Sequence, residues 1–286
     1  MASLPADRPL SAKSGRVKQA RRLARRNSRV ERRLFLAEGA KALTEALHVP
    51  GGVVEVFATL AASEEYAALR KAVDEAGIDW LVVEDPALES LSGAVTPQGI
   101  VAVCGFLDVS LDDLFTSPVV EERAPASASK PPSTLVICAD VRDPGNAGTV
   151  IRTADAAGAA GVVLAGDSVD LYNDKTVRAT VGSLWHLPLA VARDVADAVR
   201  RARTTGHLVL AADGAGETDL FAAEADGLLD QPVAWLFGNE SWGLPDEIAA
   251  MADHRVSIPI LGRAESLNLS TAAAVCLYAG ARRRQS

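Results

Sequence analysis

"TLVICADVRDPGNAGTVIRTADAAG" (134–158) contains a strand, a turn and a helix in immediate succession. Thr134–Asp140 is a near-continuous apolar run, the composition of a strand covered on both faces. Asp143-Pro144-Gly145-Asn146 reads as a turn, and Ala147 to Ala157 has helix-forming composition. Asn146 is expected near the N-cap, where its side chain would accept a backbone N–H bond. Arg152 follows about one and two-thirds turns along the helix. A helix N-terminus with an arginine nearby favours anions. The plainer alternative is that Asn146 only caps and Arg152 only pairs with Asp155 or another surface acid.

Downstream, the same alternation repeats. "GVVLAG" (161–166), "LVLAAD" (208–213), "VAWLFGNE" (233–240) and "VSIPI" (256–260) read as strands between helical segments, and "LNLSTAAAVCLYAGARRR" as a C-terminal helix. Apolar strands separated by helices predict a parallel α/β sheet. Upstream, "SPVVEERAPASASKPPS" (117–133) has no apolar period and reads as a linker. Before it, "VVEVFATL" (53–60), "WLVVED" (80–85) and "GIVAVCGF" (99–106) are predicted strands. "SEEYAALRKAVDEAG" (63–77) is a predicted helix capped by Ser63. The expected organisation is a small α/β domain over 1–107, a linker over 108–133 and a second domain over 134–286.

The charge is unevenly distributed. The chain has a net charge of −8, yet residues 1–33 hold 11 Lys or Arg against Asp7 and Glu31, a local balance of +9. A basic arm on an acidic body suits nucleic acid, because each phosphate contact releases a counterion. A solvated tail is the alternative. In "SAKSGRVKQARRLARRNSRVERR" Val17, Ala20, Leu23 and Ala24 recur at helical spacing, which predicts an amphipathic helix whose Arg21, Arg22, Arg25 and Arg26 are candidates to meet nucleic acid. Cys104, Cys138 and Cys276 are too few and too far apart for a disulfide framework, and no apolar run approaches the length of a membrane span. A cytoplasmic protein is expected.

Two further loops have unusual composition. "LFGNESWGLP" (236–245) places Gly238 directly after a strand, holds Glu240 in a turn, and offers Trp242 for stacking on a base or packing on the core. "IPILGRAESLNLSTAAAVCL" (258–277) sets Ser266 and Asn268 on either side of Leu267 at the start of the last helix, where capping explains only one of them. No G-x-G-x-x-G follows a strand, which argues against a dinucleotide enzyme. There is neither a Walker A lysine motif nor a G-x-S-x-G elbow. His48, His186, His207 and His254 form no metal pair, so no metal is expected.

Together the three loops resemble the three motifs of the SpoU family of RNA 2'-O-methyltransferases, in the SPOUT superfamily. Asn146 and Arg152, then Gly238 and Glu240, then Ser266, Leu267 and Asn268 carry the resemblance. "VRATVGSLWHLP" (177–188) also looks like the family's stretch between its first and second motifs, and Arg178 there is expected to contact RNA. Residues 23–47 are similar to the substrate-binding domain often joined to these enzymes, an L30e-like RNA-binding fold. Ser241-Trp242 departs from many members, which have smaller or charged residues after the glutamate.

The resemblance implies a C-terminal sheet threading a deep trefoil knot, and S-adenosylmethionine held mainly by backbone groups at Gly238, Ile258 and Leu267. It implies catalysis by Asn146, Arg152, Glu240, Ser266 and Asn268, and a homodimer with the active site close to its interface. Arg152 would contact the target phosphate or the attacking hydroxyl. Because a guanidinium hardly deprotonates, its expected role is electrostatic. The cofactor pocket is expected to select by shape and backbone hydrogen bonds rather than charge. The substrate expected is 23S ribosomal RNA. A tRNA 2'-O-methyltransferase and an inactive RNA-binding protein of the same fold stay open as alternatives.

Overall fold

The computed structural model describes residues 9–116 and 133–283. Most of the segment expected as a linker, 117–132, therefore lies outside the described residues. Two compact units divide the chain: residues 1–107 with 172–185, and residues 108–171 with 186–286.

The first unit is built on a four-stranded sheet of β1 (Leu34–Glu38), β2 (Val53–Ala58), β3 (Asp79–Val82) and β4 (Ile100–Gly105). The order is β1-β4-β2-β3, antiparallel except for the β2–β3 pair. Strand β4 is central and buried from Ile100 to Cys104, so it reads as an unbroken apolar run. The expected helix over 63–77 is two helices, Leu60–Glu65 and Ala67–Glu75, separated at Tyr66. Its cap is Thr59, whose hydroxyl accepts from Ala62 N at 3.1 Å. Ser63 is buried one turn later and accepts from Trp80 Nε1 at 2.9 Å.

The basic segment is likewise broken, into Gly15–Arg21, a 3-10 turn at Arg22–Ala24, and Arg26–Arg32. Val17, Ala20 and Leu23 are buried in keeping with their spacing, whereas Ala24 is exposed.

Residues Tyr172–Trp185 come from the second half of the sequence but belong to the first unit. Tyr172 stacks on Phe106 at 3.8 Å, its hydroxyl accepts from Leu107 N at 2.6 Å, and both Tyr172 and Trp185 approach Phe35. The boundary at 107 therefore omits a piece that only tertiary packing reveals.

The second unit carries seven strands: β5 (Thr134–Ala139), β6 (Gly161–Ala165), β7 (Leu189–Ala192), β8 (Leu208–Ala212), β9 (Thr218–Asp219), β10 (Val233–Phe237) and β11 (His254–Ser257). Their order is β7-β6-β5-β10-β8-β11-β9, and every pair is parallel. Strands β5, β6 and β10 are buried at every residue, the reason their sequences show no alternation. Residues 108–116, expected as linker, join this unit through a Val109 N to Leu189 O bond and the Leu111–Thr116 helix. On one face the Pro144–Ala156 helix packs against the Leu269–Arg283 helix.

Among the described residues no helix is long and apolar enough to cross a membrane. The three cysteines are free and buried, and burial pushes the thiols of Cys138 and Cys276 up to about 12.

Candidate active site

In a parallel sheet the loops leaving the carboxyl ends of adjacent strands meet, and these are the places where ligands bind. Here the loops after β5, β8, β10 and β11 meet. The β5 loop enters its helix through Asp143, whose Oδ1 accepts from Asn146 N at 2.7 Å. The N-cap is therefore Asp143 rather than Asn146. Relieved of capping, the Asn146 side chain reaches outward to the other two motifs.

Its Nδ2 donates to Glu240 Oε1 at 3.1 Å, and its Oδ1 accepts from Asn268 Nδ2 at 3.0 Å. Asn268 Oδ1 in turn accepts from Ser270 N at 2.9 Å and caps the last helix. Proton bookkeeping fixes both amide orientations. Glu240 only accepts, so Asn146 must present its NH2 there; the helix N–H only donates, so Asn268 must present its oxygen. Glu240 also accepts from Asp143 N at 3.0 Å and Arg142 N at 3.2 Å. Partial burial would raise the Glu240 pKa, but the bonds from Asn146 and the backbone N–H groups outweigh it and hold the carboxyl below the usual range. Such a group contributes stability above its unfolded pKa and loses it only as the pH falls through the depressed folded value. The clamp on the 140–146 loop is therefore complete at neutral pH.

Gly238 opens the β10 turn. A Cβ there would lie 2.5 Å from Gly243 O and 2.6 Å from Leu244 N. The glycine is thus required by the turn's own backbone, where the sequence suggested space for a ligand. Gly238→Val is expected to lower the melting temperature by several degrees, since overpacking costs about 1–3 kcal/mol, and to lose cofactor binding with the turn. Thermal denaturation beside calorimetry checks this; lost binding at an unchanged melting temperature would restore simple occlusion. Asn239, which sequence reasoning passes over inside "FGNE", is buried and ties the turn to β5 through Nδ2 to Asp140 O at 2.7 Å. Its only sequence signal is an amide beside Glu240.

Behind this chain of bonds is a cavity of about 300 Å³, at the lower end of the range of small-molecule sites. Gly238 and Glu240 line it, as do Ile258, Ser266 and Leu267, while Asn146, Asn268 and Arg152 are not in its wall. Asp213 and Glu265 also line it, so the wall carries more acid than its loops suggested. Burial would raise the Asp213 pKa, but the Ala215 N–H and the Arg255 guanidinium, bonded at 2.6 Å and 3.0 Å, hold it low.

Arg152 is exposed on the helix beside the cavity, and among the described residues no hydrogen bond or ion pair engages its guanidinium. Asp155, its suggested partner, instead meets His186 Nδ1 at 2.7 Å. Arg21, Arg22, Arg25 and Arg26 are all exposed on the first unit. Arg178 is not displayed in the same way: its Nη1 meets Asp174 Oδ2 at 3.1 Å and Glu38 Oε2 at 3.9 Å. Among the described residues no cluster of His, Cys, Asp or Glu could hold a metal.

Residues 133–278 match the SpoU rRNA Methylase family, and residues 15–102 match the MRM3-like substrate binding domain. The chain is 34% identical, over 94% of its length and 96% of the relative's, to the Bacillus subtilis 23S rRNA (guanosine(2553)-2'-O)-methyltransferase RlmP. The AdoMet-bound rRNA methyltransferase from Sinorhizobium meliloti superposes with a TM-score of 0.80 at 32% identity, over 96% of this chain and 98% of that one. The SpoU methyltransferase AviRb from Streptomyces viridochromogenes, in complex with AdoMet, gives a TM-score of 0.79 at 28% identity, over 96% and 99%. With its three signature loops joined at the sheet's carboxyl edge and this likeness running along nearly its whole length, the chain belongs to the SpoU rRNA Methylase family.

Proposed function

We propose that the protein transfers a methyl group from S-adenosylmethionine to a ribose 2'-OH of 23S ribosomal RNA. The observation that carries this reading is the Glu240–Asn146–Asn268 chain, which locks three loops around a cavity fit for the cofactor. The fit is chemical as well as spatial. Ile258, Leu267 and loop backbone suit an adenosine, and Glu265 suits a molecule carrying a sulfonium and an ammonium, while the Asp213 carboxylate is already committed to Arg255.

When bound, S-adenosylmethionine supplies an electrophilic methyl group. The protein's own task is to orient the ribose and to accommodate charge as the hydroxyl loses its proton. Arg152, whose guanidinium engages no acid among the described residues, would meet a phosphate or the developing alkoxide with its planar fork. Asn146 and Glu240 hold the helix that carries it, and Asn268 with Ser266 places the adjoining loop.

The order of the sheet supports a knotted chain: β10 inserts between β5 and β8, and β11 between β8 and β9, after their neighbours are laid down. We assign the first unit an L30e-like, RNA-binding role. The active form is taken to be a cytoplasmic homodimer, which would bring a second subunit near the exposed Arg152.

Radiolabelled methyl transfer to ribosomal RNA and to tRNA tests the reading. Incorporation into ribosomal RNA alone is expected, and labelling of tRNA alone would overturn the substrate assignment. The arginines give a separate check. Changing Arg21, Arg22, Arg25 and Arg26 together to Gln should lower the slope of log affinity against log salt by roughly 3, at about 0.7–0.9 for each phosphate no longer neutralised. An unchanged slope would mark these residues as ordinary solvated surface.

A further inference from the structure

Trp242 is the residue of the second loop that the catalytic reading leaves unused. Its sequence context allows packing on the core or stacking on a base, and the structure excludes core packing: the residue is 56% exposed. Trp235 is buried, and Trp80 and Trp185 are part-buried, so Trp242 is the one tryptophan displayed to solvent. Holding so large an apolar ring in water is unfavourable.

The ring is exposed on a closed turn. Asn239 and Gly243 exchange two backbone hydrogen bonds at 2.8 and 3.0 Å, and Ser241 N donates to Asn239 Oδ1 at 2.8 Å. Asn239 is buried and fastens the turn to β5. Trp242 is thus projected from a pre-formed support, which lowers the entropy cost of binding something to it. Ser241 and Gly243 line the cofactor cavity on either side, whereas Trp242 is not in its wall. The ring therefore stands at the outer rim of that cavity.

Arg142 approaches the ring, its guanidinium carbon 5.7 Å from the ring centre, within cation–π range. The backbone of Arg142 is bonded to Glu240, so the carboxylate that joins the catalytic loops also fixes the two loops carrying ring and guanidinium. The guanidinium meets Asp167 at 3.3 Å, but both side chains are open to water, and such a pair contributes little. Arg142 can therefore turn to a phosphate at small cost.

An aromatic face with a guanidinium beside it complements a nucleotide: the base stacks on the ring and the phosphate meets the cation. Only an unpaired base can be splayed out onto such a face, because in a continuous helix both faces of each base are covered by its neighbours. We propose that Trp242 and Arg142 form a stacking platform for an unpaired RNA base beside the nucleotide being methylated, so that the protein selects a single-stranded or loop segment over a continuous helix. The placement beside the target rests on the catalytic reading; the stacking itself does not.

The test is the tryptophan fluorescence of the full-length protein titrated with a short, non-self-complementary RNA oligonucleotide, alone and annealed to its complement. Trp242→Phe, which keeps a ring but removes the signal, identifies the Trp242 component of the emission. The unpaired oligonucleotide should quench that component and shield it from acrylamide, and the duplex should do neither. Trp242→Ala should weaken the unpaired oligonucleotide about tenfold, within the range of base–aromatic stacking. Trp242→Phe should restore most of that affinity, and Arg142→Gln should cost about threefold. Cofactor affinity should not change in the Trp242 variants, because the ring is outside the cavity wall. Equal quenching by duplex and unpaired RNA, no quenching by either, or parental affinity in Trp242→Ala overturns the proposal. So does a Trp242 emission that shifts when the protein alone is diluted, which would mean that a second copy covers the ring. None of these readouts needs methyl transfer. A parent chain that methylates no ribosomal RNA yet shows the quenching would count against the activity and leave the platform standing.

Discussion

Arg152→Ala should abolish most of the methyl transfer while leaving the protein as stable as the parent. The side chain is exposed and makes no hydrogen bond or ion pair among the described residues, so its removal strands no buried partner. Surface substitutions of that kind usually stay within about 0.5 kcal/mol. Catalysis is another matter, because loss of a single preorganised charge or donor at a developing oxyanion costs about 10²–10³-fold in kcat. Cofactor affinity should hardly change, since Arg152 is not in the wall of the cavity. Arg152→Lys should also be poor, because a compact ammonium does not reproduce a two-pronged contact with phosphate. Single-turnover kinetics with calorimetry separates the two quantities. Near-normal turnover in either variant would remove Arg152 from the chemistry.

Asn146→Asp is expected to be nearly as damaging, for a different reason. The substitution changes almost no volume but replaces the amide that donates to Glu240 with a second carboxylate, about 3 Å from the first. Asn268 Nδ2 can still donate to the new carboxylate, but Glu240 loses its side-chain donor. Hydrogen bonds to charged groups contribute about 1.5–3 kcal/mol, or roughly 10–100-fold, and repulsion adds to this. Turnover should fall by at least that factor. The loss should be partly relieved as the pH is lowered far enough to protonate one member of the pair. Asn146→Ala, which removes the donor without adding charge, should be milder and show no such relief. If the two variants behave alike at every pH, Asn146 serves only as a helix residue.

Much of this arrangement is legible in the amino-acid sequence. The buried strands β5, β6 and β10 stand out because both their faces are covered, which makes their sequences apolar throughout. Strands β1, β7 and β9 escape sequence reading: each lies at an edge of its sheet, where little sequence pattern is imposed. The three motif loops are conspicuous by composition, but what joins them is not. Asn146 bonds residues 94 and 122 positions away, and no local pattern encodes such pairs. The misplaced cap has a similar origin. Asp143 and Asn146 are both good cap residues, and only the bond at Asp143 Oδ1 decides between them. At Gly238 the crowding backbone belongs to Gly243 and Leu244 of its own turn, a constraint that the local sequence does not display. The inclusion of Tyr172–Trp185 in the first unit rests on ring packing against Phe35 and Phe106, between segments far apart in sequence.

The most direct measurement is nucleoside mass spectrometry of 23S ribosomal RNA incubated with the purified protein and S-adenosylmethionine. One 2'-O-methylated nucleoside should appear, at a single position that resists alkaline cleavage, and it should be absent when Arg152→Ala replaces the parent protein. A methyl group found on a base, or RNA left unmodified while the protein still binds both cofactor and RNA, would contradict the assignment of this site to ribose methylation.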